Sequence, residues 1–139
     1  MQTKSVLNRD DVAGIVAACR EEALRNQWPV TIAVADDGGH PLALERLDGC
    51  PQASAYIAAD KAKTAALGRR ETRLLEEMIN AGRISFLSVP LDSMLEGGVP
   101  IIVDGQVIGA VGVSGVKPEQ DGQIAKAGVA AITAVPGAQ

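Results

Sequence analysis

GGVPIIVDGQVIGAVGVSG, residues 97–115, reads as a glycine-punctuated β-hairpin that leads into a helix. Two apolar runs, Val99 to Val103 and Val107 to Val113, flank Asp104 and Gly105. An Asp-Gly pair suits a two-residue turn because both of its central positions accept positive φ. This register places Pro100 opposite Gly109 and Ile101 opposite Ile108. Gly109 and Gly112 deprive the second strand of side chains where β-formers are expected, which signals a close approach to its backbone. Either a ligand or a helix packed on the sheet satisfies that signal.

Periodicity assigns the rest of the chain. A helix is expected from about Arg9 to Asn26, with Val12, Ile15, Val16, Cys19 and Ala23 on one face. Asn8 caps it, and Leu7 and Val12 form a hydrophobic staple. Val30, Ile32 and Val34 alternate as a half-buried strand, Asp36 to Gly39 turn the chain, and Pro41 to Leu47 returns beside it. A second helix runs from about Ala53 to Leu67. Its stripe of Ala55, Ala58, Ala59, Ala62, Ala65 and Ala66 permits close approach to a sheet or another helix. Glu71 to Asn80 is a shorter helix, Ile84 to Val89 a further strand, Pro90 to Gly98 a polar loop holding Met94, and Pro118 to Ile132 a final helix. Its first turn carries Glu119 and Asp121, where the helix dipole favours carboxylates. The strands therefore group into hairpins instead of β-α-β crossovers, which predicts an α+β domain around an antiparallel sheet. The glycines of GAVGVSG lie in a strand and its exit, outside the turn that a dinucleotide fingerprint requires.

Composition removes several classes of function. The 139 residues suit one domain, 1–139, with a core built without disulfides or metals. A net charge of -4 and a pI near 4.9 argue against nucleic acid or an anionic membrane as partner. The three aromatic residues, Trp28, Tyr56 and Phe86, provide no stacking platform for bases. The start MQTKSVLNRDD has no apolar leader core, and no run approaches the length of a membrane span. Cys19 and Cys50 lack metal or redox spacing and suit a reducing compartment, so a cytoplasmic location is expected.

Five segments in order, VADDGGHPLALERLD (34–48), AADKAKTAA (58–66), EGGVPI (96–101), GQVIGAVGVSG (105–115) and EQDGQIAKAG (119–128), resemble the GlcG/HbpS family. That family comprises small haem-binding or haem-degrading proteins, proteins of glycolate and diol catabolic operons, and domains fused to corrinoid adenosyltransferases. The resemblance implies a profilin-like fold, with a five-stranded antiparallel sheet flanked by helices on both faces, and assembly into dimers or larger homo-oligomers. Haem is the cofactor it implies.

Candidate residues follow from the side chains themselves. His40 is the single histidine and the one ordinary nitrogen donor for haem iron, or else a solvated turn residue. Cys50, before Pro51, is a thiolate alternative, and Met78 and Met94 are thioethers. Lys61 sits at the edge of the alanine stripe beside Ile57 and Thr64, while Asp60 and Lys63 turn to solvent. Lys61 can hold a carboxylate or haem propionate, act as a base, or snorkel over apolar surface. Arg46 shares a face with Leu42 and Leu44, which places it at a core edge beside an acid. Gly97 and Gly98, with Ser114 and Gly115, close one end of the long hairpin and can offer amides to a carboxylate; Thr64 completes the expected ligand-binding set. Ser114 lacks the histidine partner and glycine elbow of a nucleophile, and one histidine argues against zinc.

Two functions fit these residues. One is a haem- or tetrapyrrole-binding protein with His40 as axial ligand and Lys61 or Arg46 on the propionates. The other is a catabolic lyase, isomerase or hydratase of a small carboxylic acid, with His40 and Lys61 as acid and base. A non-catalytic oligomeric accessory protein is a third.

Overall fold

The computed structural model of the protein describes residues 1–133. Helix α1 (Arg9–Arg25) opens on a reciprocal cap: Asn8 Oδ1 accepts the Asp11 N–H at 2.8 Å, and Asp11 Oδ2 accepts the Asn8 N–H at 2.9 Å. Two donors that the helix leaves orphaned are thereby satisfied. The five residues expected on its inner face are all buried, as are both members of the staple.

Strands β1 (Thr31–Asp36), β2 (Pro41–Arg46), β3 (Gly98–Val103) and β4 (Gln106–Ser114) form one antiparallel sheet in the order β2-β1-β4-β3. Helix α2 (Ala53–Gly68) covers one face, and α1 with α4 (Pro118–Thr133) covers the other. Helix α3 (Thr72–Asn80) lies beside α2 and β3. The α+β class and the helices on both faces are as expected, but the sheet has four strands among the described residues, not five. The expected strand at Ile84 to Val89 is a 3-10 turn, Ile84–Ser88. Its amides bond locally, Phe86 N–H to the Arg83 carbonyl and Val89 N–H to the Phe86 carbonyl. Ile84 and Leu87 stand 68% and 59% exposed. The run carries β-forming residues without two-residue alternation, and its locally satisfied backbone has nothing left for a sheet edge. Met94, expected in a polar loop, is buried.

The long hairpin turns on Asp104 and Gly105, with φ of 52° and 74°. Its register departs from strict pairing. Val103 pairs with Gln106 and Ile102 with Val107, but Ile101 then faces Gly109 and Pro100 faces Ala110. Ile108 is the extra residue of a bulge, which brings it to the same side as Val111 and Val113, and all three enter one core cluster. Unbroken alternation would have turned Ile108 toward α2.

The two faces of the sheet differ in side-chain size. Toward α1 and α4 stand Ile32, Val34, Val99, Ile101, Val103, Ile108, Val111 and Val113. Toward α2 stand Ala33, Ala35 and Ala110, against Ala58, Ala62, Ala65 and Ala66. A Cβ built on Gly112 would run into the Ala58 carbonyl oxygen and come within 2.5 Å of the Ala62 nitrogen. One built on Gly98 would run into the Lys61 carbonyl oxygen and lie 2.8 Å from Thr72 Cγ2. The close approach signalled by the strand glycines is therefore a helix backbone at Gly112. At Gly109 it is the Ala35 carbonyl oxygen of the neighbouring strand, 2.5 Å from the same construction, and then Leu7 Cδ1 at 2.7 Å.

So close a seat encloses Lys61, which is 3% exposed. Its Nζ donates to the Val113 carbonyl at 2.9 Å and to Asp121 Oδ2 at 3.1 Å. Asp121, 2% exposed, also accepts the Val116 N–H on Oδ1 at 3.2 Å. Burial pushes its carboxyl up to about 6, against the opposing pull of the Lys61 ammonium and the Val116 amide. The pair ties α2 to the end of β4 and the first turn of α4.

Gly112→Ala should lower the unfolding free energy by about 1–3 kcal/mol, because the new methyl meets main chain that cannot rotate away. Gly14→Ala, on α1 with nothing within 4 Å of the added carbon, should be neutral or stabilising. Equal urea midpoints for the two variants would contradict this account of α2. Lys61→Met should cost about 3–5 kcal/mol by stranding a buried carboxylate, and adding Asp121→Leu should recover most of it; simple additivity would dissolve the pair. The Asp121 pKa is raised on folding, from 3.8 to about 6, so its ionisation opposes the folded state above that range. Its contribution turns favourable as pH falls through the window. The stability of wild type relative to Asp121→Asn should therefore rise between about pH 7 and pH 4, and a fall over that range would reverse the assignment.

Candidate functional site

The turn between β1 and β2 is organised by one carboxylate. Asp36 Oδ1 accepts the Gly38 N–H at 2.9 Å and the His40 N–H at 2.9 Å, and lies 3.0 Å from His40 Nδ1; Oδ2 lies 3.2 Å from the same nitrogen. Backbone bonds from Gly39 N–H to the Asp36 carbonyl and from Asp36 N–H to the His40 carbonyl, each 3.0 Å, close the turn. Such side-chain capping of following amides is the usual reason for aspartate before a glycine turn. Asp37 pairs with Lys4, which brings the N-terminal segment to the same corner.

His40 stands on the rim of a groove of about 520 Å³ between this hairpin and α2. Its floor is Ala33 to Ala35 of β1, one wall is Gly38 to Pro41 with Ala43 and Leu44, and the other is Ala59, Asp60, Ala62 and Lys63. The groove exists because α2 lies chiefly over β4 and β1, leaving the edge strand β2 partly uncovered. Leu42 and Leu44 are consequently 41% and 50% exposed. Asp60 is held above the usual carboxylate range by burial and by the nearby Asp92, against the pull of Lys63. Lys63 Nζ lies 3.6 Å from Asp92 Oδ2. A mostly apolar slot with a few polar groups at its edges is the usual form of a small-molecule site.

The expected site residues divide between this groove and the interior. His40 belongs to the groove. Lys61 does not: its ammonium is committed to Val113 and Asp121, so the structure brings no acid-base pair of His40 and Lys61 into one cavity. Gly97 adjoins the buried ion pair, since a Cβ there would lie 2.8 Å from Lys61 Nζ. Gly98 binds Thr72, donating its N–H to Oγ1 at 2.8 Å. Thr64 is buried and accepts the Ser93 N–H at 3.3 Å. Ser114 is buried opposite Thr31, and Gly115 packs against the Pro29 carbonyl, 2.5 Å from a constructed Cβ. Of the residues expected to bind a carboxylate, Lys61 and Gly97 thus adjoin one that the chain supplies itself, Asp121.

Arg46 does not sit at a core edge. It shares a face with Leu42 and Leu44, yet that face is open to solvent, and Arg46 is exposed. The acid-base pair of this strand is made by its neighbour Glu45, whose oxygens accept from Arg20 Nε at 2.6 Å and Nη2 at 2.8 Å. Asp60 and Lys63, expected in solvent, also line the groove: Lys63 is exposed as expected, and Asp60 is half-buried. Their i, i+3 spacing beside Ala59 and Ala62 is the signal that could have found them. The four-residue spacing of Asp36 and His40 around a glycine pair likewise marks the turn network. Cys50 sits outside the groove lining, its Sγ donating to the Leu47 carbonyl at 3.2 Å. Cys19 is buried against α4, and burial pushes its thiol up to about 12. Among the described residues, no cluster of three or more His, Cys, Asp and Glu could hold a metal ion, and no helix is long and apolar enough to cross a membrane.

The chain is similar to proteins of known name. It is 60% identical over 114 residues to protein GlcG of Escherichia coli strain K12, covering 82% of this chain and 85% of that one. A crystal structure of a doubly substituted Streptomyces reticuli HbpS superposes with a TM-score of 0.86 at 28% identity, over 94% of this chain and 89% of the other. The crystal structure of the PduOC:heme complex superposes with a TM-score of 0.83 at 29% identity, over 92% and 96%. Residues 7–130 match the family described as haem degrading protein HbpS-like, from the staple residue of α1 into the last turns of α4, and the chain belongs to that family.

Proposed function

We propose that this protein binds haem, or a closely related tetrapyrrole, in the groove between β2 and α2, with His40 as the axial ligand. The observation that carries the reading is an imidazole at the rim of an apolar slot, with its Nδ1 already engaged by Asp36 and its Nε2 left for a metal. Metal-bound histidines characteristically give their second nitrogen to a carboxylate in this way. The lining suits a planar ligand. Ala33, Ala35, Ala59 and Ala62, with Gly38 and Gly39, present little relief, and Leu44 offers an apolar flank. Lys63, half-exposed at the groove, can meet a propionate. The family and the haem complex of its PduOC relative support the same ligand. Haem, when bound, supplies a redox-active iron; the chain's own groups hold the macrocycle, provide a nitrogen donor and shield one face from water. The two free thiols suit a reducing, cytoplasmic setting.

The enzyme reading that joins His40 to Lys61 lacks comparable support, because Lys61 is buried against Asp121 and does not line the groove of His40.

Haem titration of the purified protein, followed by Soret absorbance, should saturate at one haem per groove. His40→Ala should remove the shifted Soret band. Leu44→Asp, at a position half-exposed and so tolerant of charge for folding, should weaken binding at least about tenfold by placing a carboxylate against the apolar slot. Nonsaturating binding, or a spectrum unaffected by His40→Ala, would overturn the proposal.

A further inference from the structure

His40 is 77% exposed, and an imidazole so placed is ordinarily free to rotate and to carry its proton on either nitrogen. Here a carboxylate holds it and a glycine leaves it room. Asp36 presents both carboxylate oxygens to Nδ1, at 3.0 and 3.2 Å. Beneath the ring lies Gly38, where a Cβ would come within 2.7 Å of Cε1 and 2.9 Å of Nδ1. The same Asp36 oxygen accepts two backbone amides of the turn, so the carboxylate is itself fixed before the ring meets it. Asp37, the neighbouring acid, is occupied by Lys4.

We infer that Asp36 is the positioning residue of this groove: its carboxylate holds the proton of the His40 ring on Nδ1 and leaves Nε2 as the basic nitrogen that a ligand meets. An acceptor-only group facing Nδ1 can be satisfied by N–H alone, so it selects one tautomer. Gly38 serves the same end by giving the ring room to reach Asp36. The inference rests on the reading of the groove as a ligand site with His40 as its donor.

The chain has one histidine, so long-range 1H–15N correlation spectra of the labelled protein report on the His40 ring alone. With the ring in its neutral form, wild type should show a protonated Nδ1 and a bare Nε2. Asp36→Asn keeps one oxygen for the turn amides but places an NH2 group where Oδ2 stood. That group can donate to Nδ1 in competition with the retained oxygen, which can still accept from it, so the preference for Nδ1–H should weaken and the Nε2–H form should become populated. A purely structural Asp36 would leave the tautomer unmoved. Haem affinity should fall about 10–100-fold in the same variant. A proton on Nε2 in wild type overturns the inference, and that spectrum decides the matter even if the variant fails to fold. An unchanged tautomer or an unchanged haem affinity in Asp36→Asn overturns it as well. The tautomer measurement needs no haem, so the two readings fail separately. Absent haem binding by wild type would defeat the proposed ligand and leave the Asp36 assignment standing. A wrong tautomer beside His40-dependent haem binding would defeat the positioning role alone.

Discussion

Helix α2 rests its backbone directly on strand backbone at Gly98 and Gly112, and the remaining architecture accommodates that contact. With little room between helix and sheet, the facing positions must be small: alanines on both elements, with Thr31 and Ser54 hydrogen-bonded at 2.8 Å. The opposite face carries the volume. There, branched side chains of β1, β3 and β4 pack against α1 and α4 in the larger core cluster, with the bulge at Ile108 adding one more to that side. One layer is thus held by close approach and the other by apolar burial.

The same approach separates two polar environments on α2. At Lys61 the helix lies over strand ends and the first turn of α4, so an ammonium is enclosed and must find its counter-charge within the chain. Asp121 supplies it, with the Val113 carbonyl and the Val116 amide completing the set. A buried ion pair of this kind gains little net stability over apolar packing but is costly to break, which makes it a constraint on how α2 and α4 can sit. Two residues further along, at Lys63, the helix faces the uncovered edge strand. The neighbouring polar groups there remain within reach of solvent and of any molecule in the groove.

The groove is shaped by smallness more than by aromaticity. Three aromatic residues in the chain leave few rings for stacking, but the slot between β2 and α2 does not need them. Alanines and glycines on two sides make a flat, narrow space, and the hairpin turn puts an oriented imidazole at its edge. Membership of the HbpS-like family and the likeness to a haem-bound PduOC structure accord with that shape. Rigidity at the rim comes from Asp36, which satisfies two turn amides and a ring nitrogen at once.

Much of this was legible in local pattern. The cap at Asn8, the Asp104-Gly105 turn, the alanine stripe, both hairpins and all four helices are periodicities or short-range signals, and each is decided within a few residues of chain. The glycines at 109 and 112 correctly announced a close approach. What local pattern left open was who approaches and which face is covered. Lys61 and Lys63 differ by two positions on one helix, yet one is sealed and the other lines a groove, because α2 lies over β4 and β1 and not over β2. Arg46 misses its expected core edge, and Glu45 makes the ion pair of the strand, for the same reason: alternation assigns sides to a strand, but not which side is inside at an uncovered edge. Ile84 to Val89 carries the residues of a strand with no edge to join, and Ile108 changed sides through a bulge. By itself the sequence determined the four helices, the two hairpins with their turns and the α+β class, since backbone preference and hydrophobic period act locally. Only the tertiary structure decided the four-stranded sheet, the buried Lys61–Asp121 pair and the groove beneath His40, since each depends on contacts between segments distant in the chain.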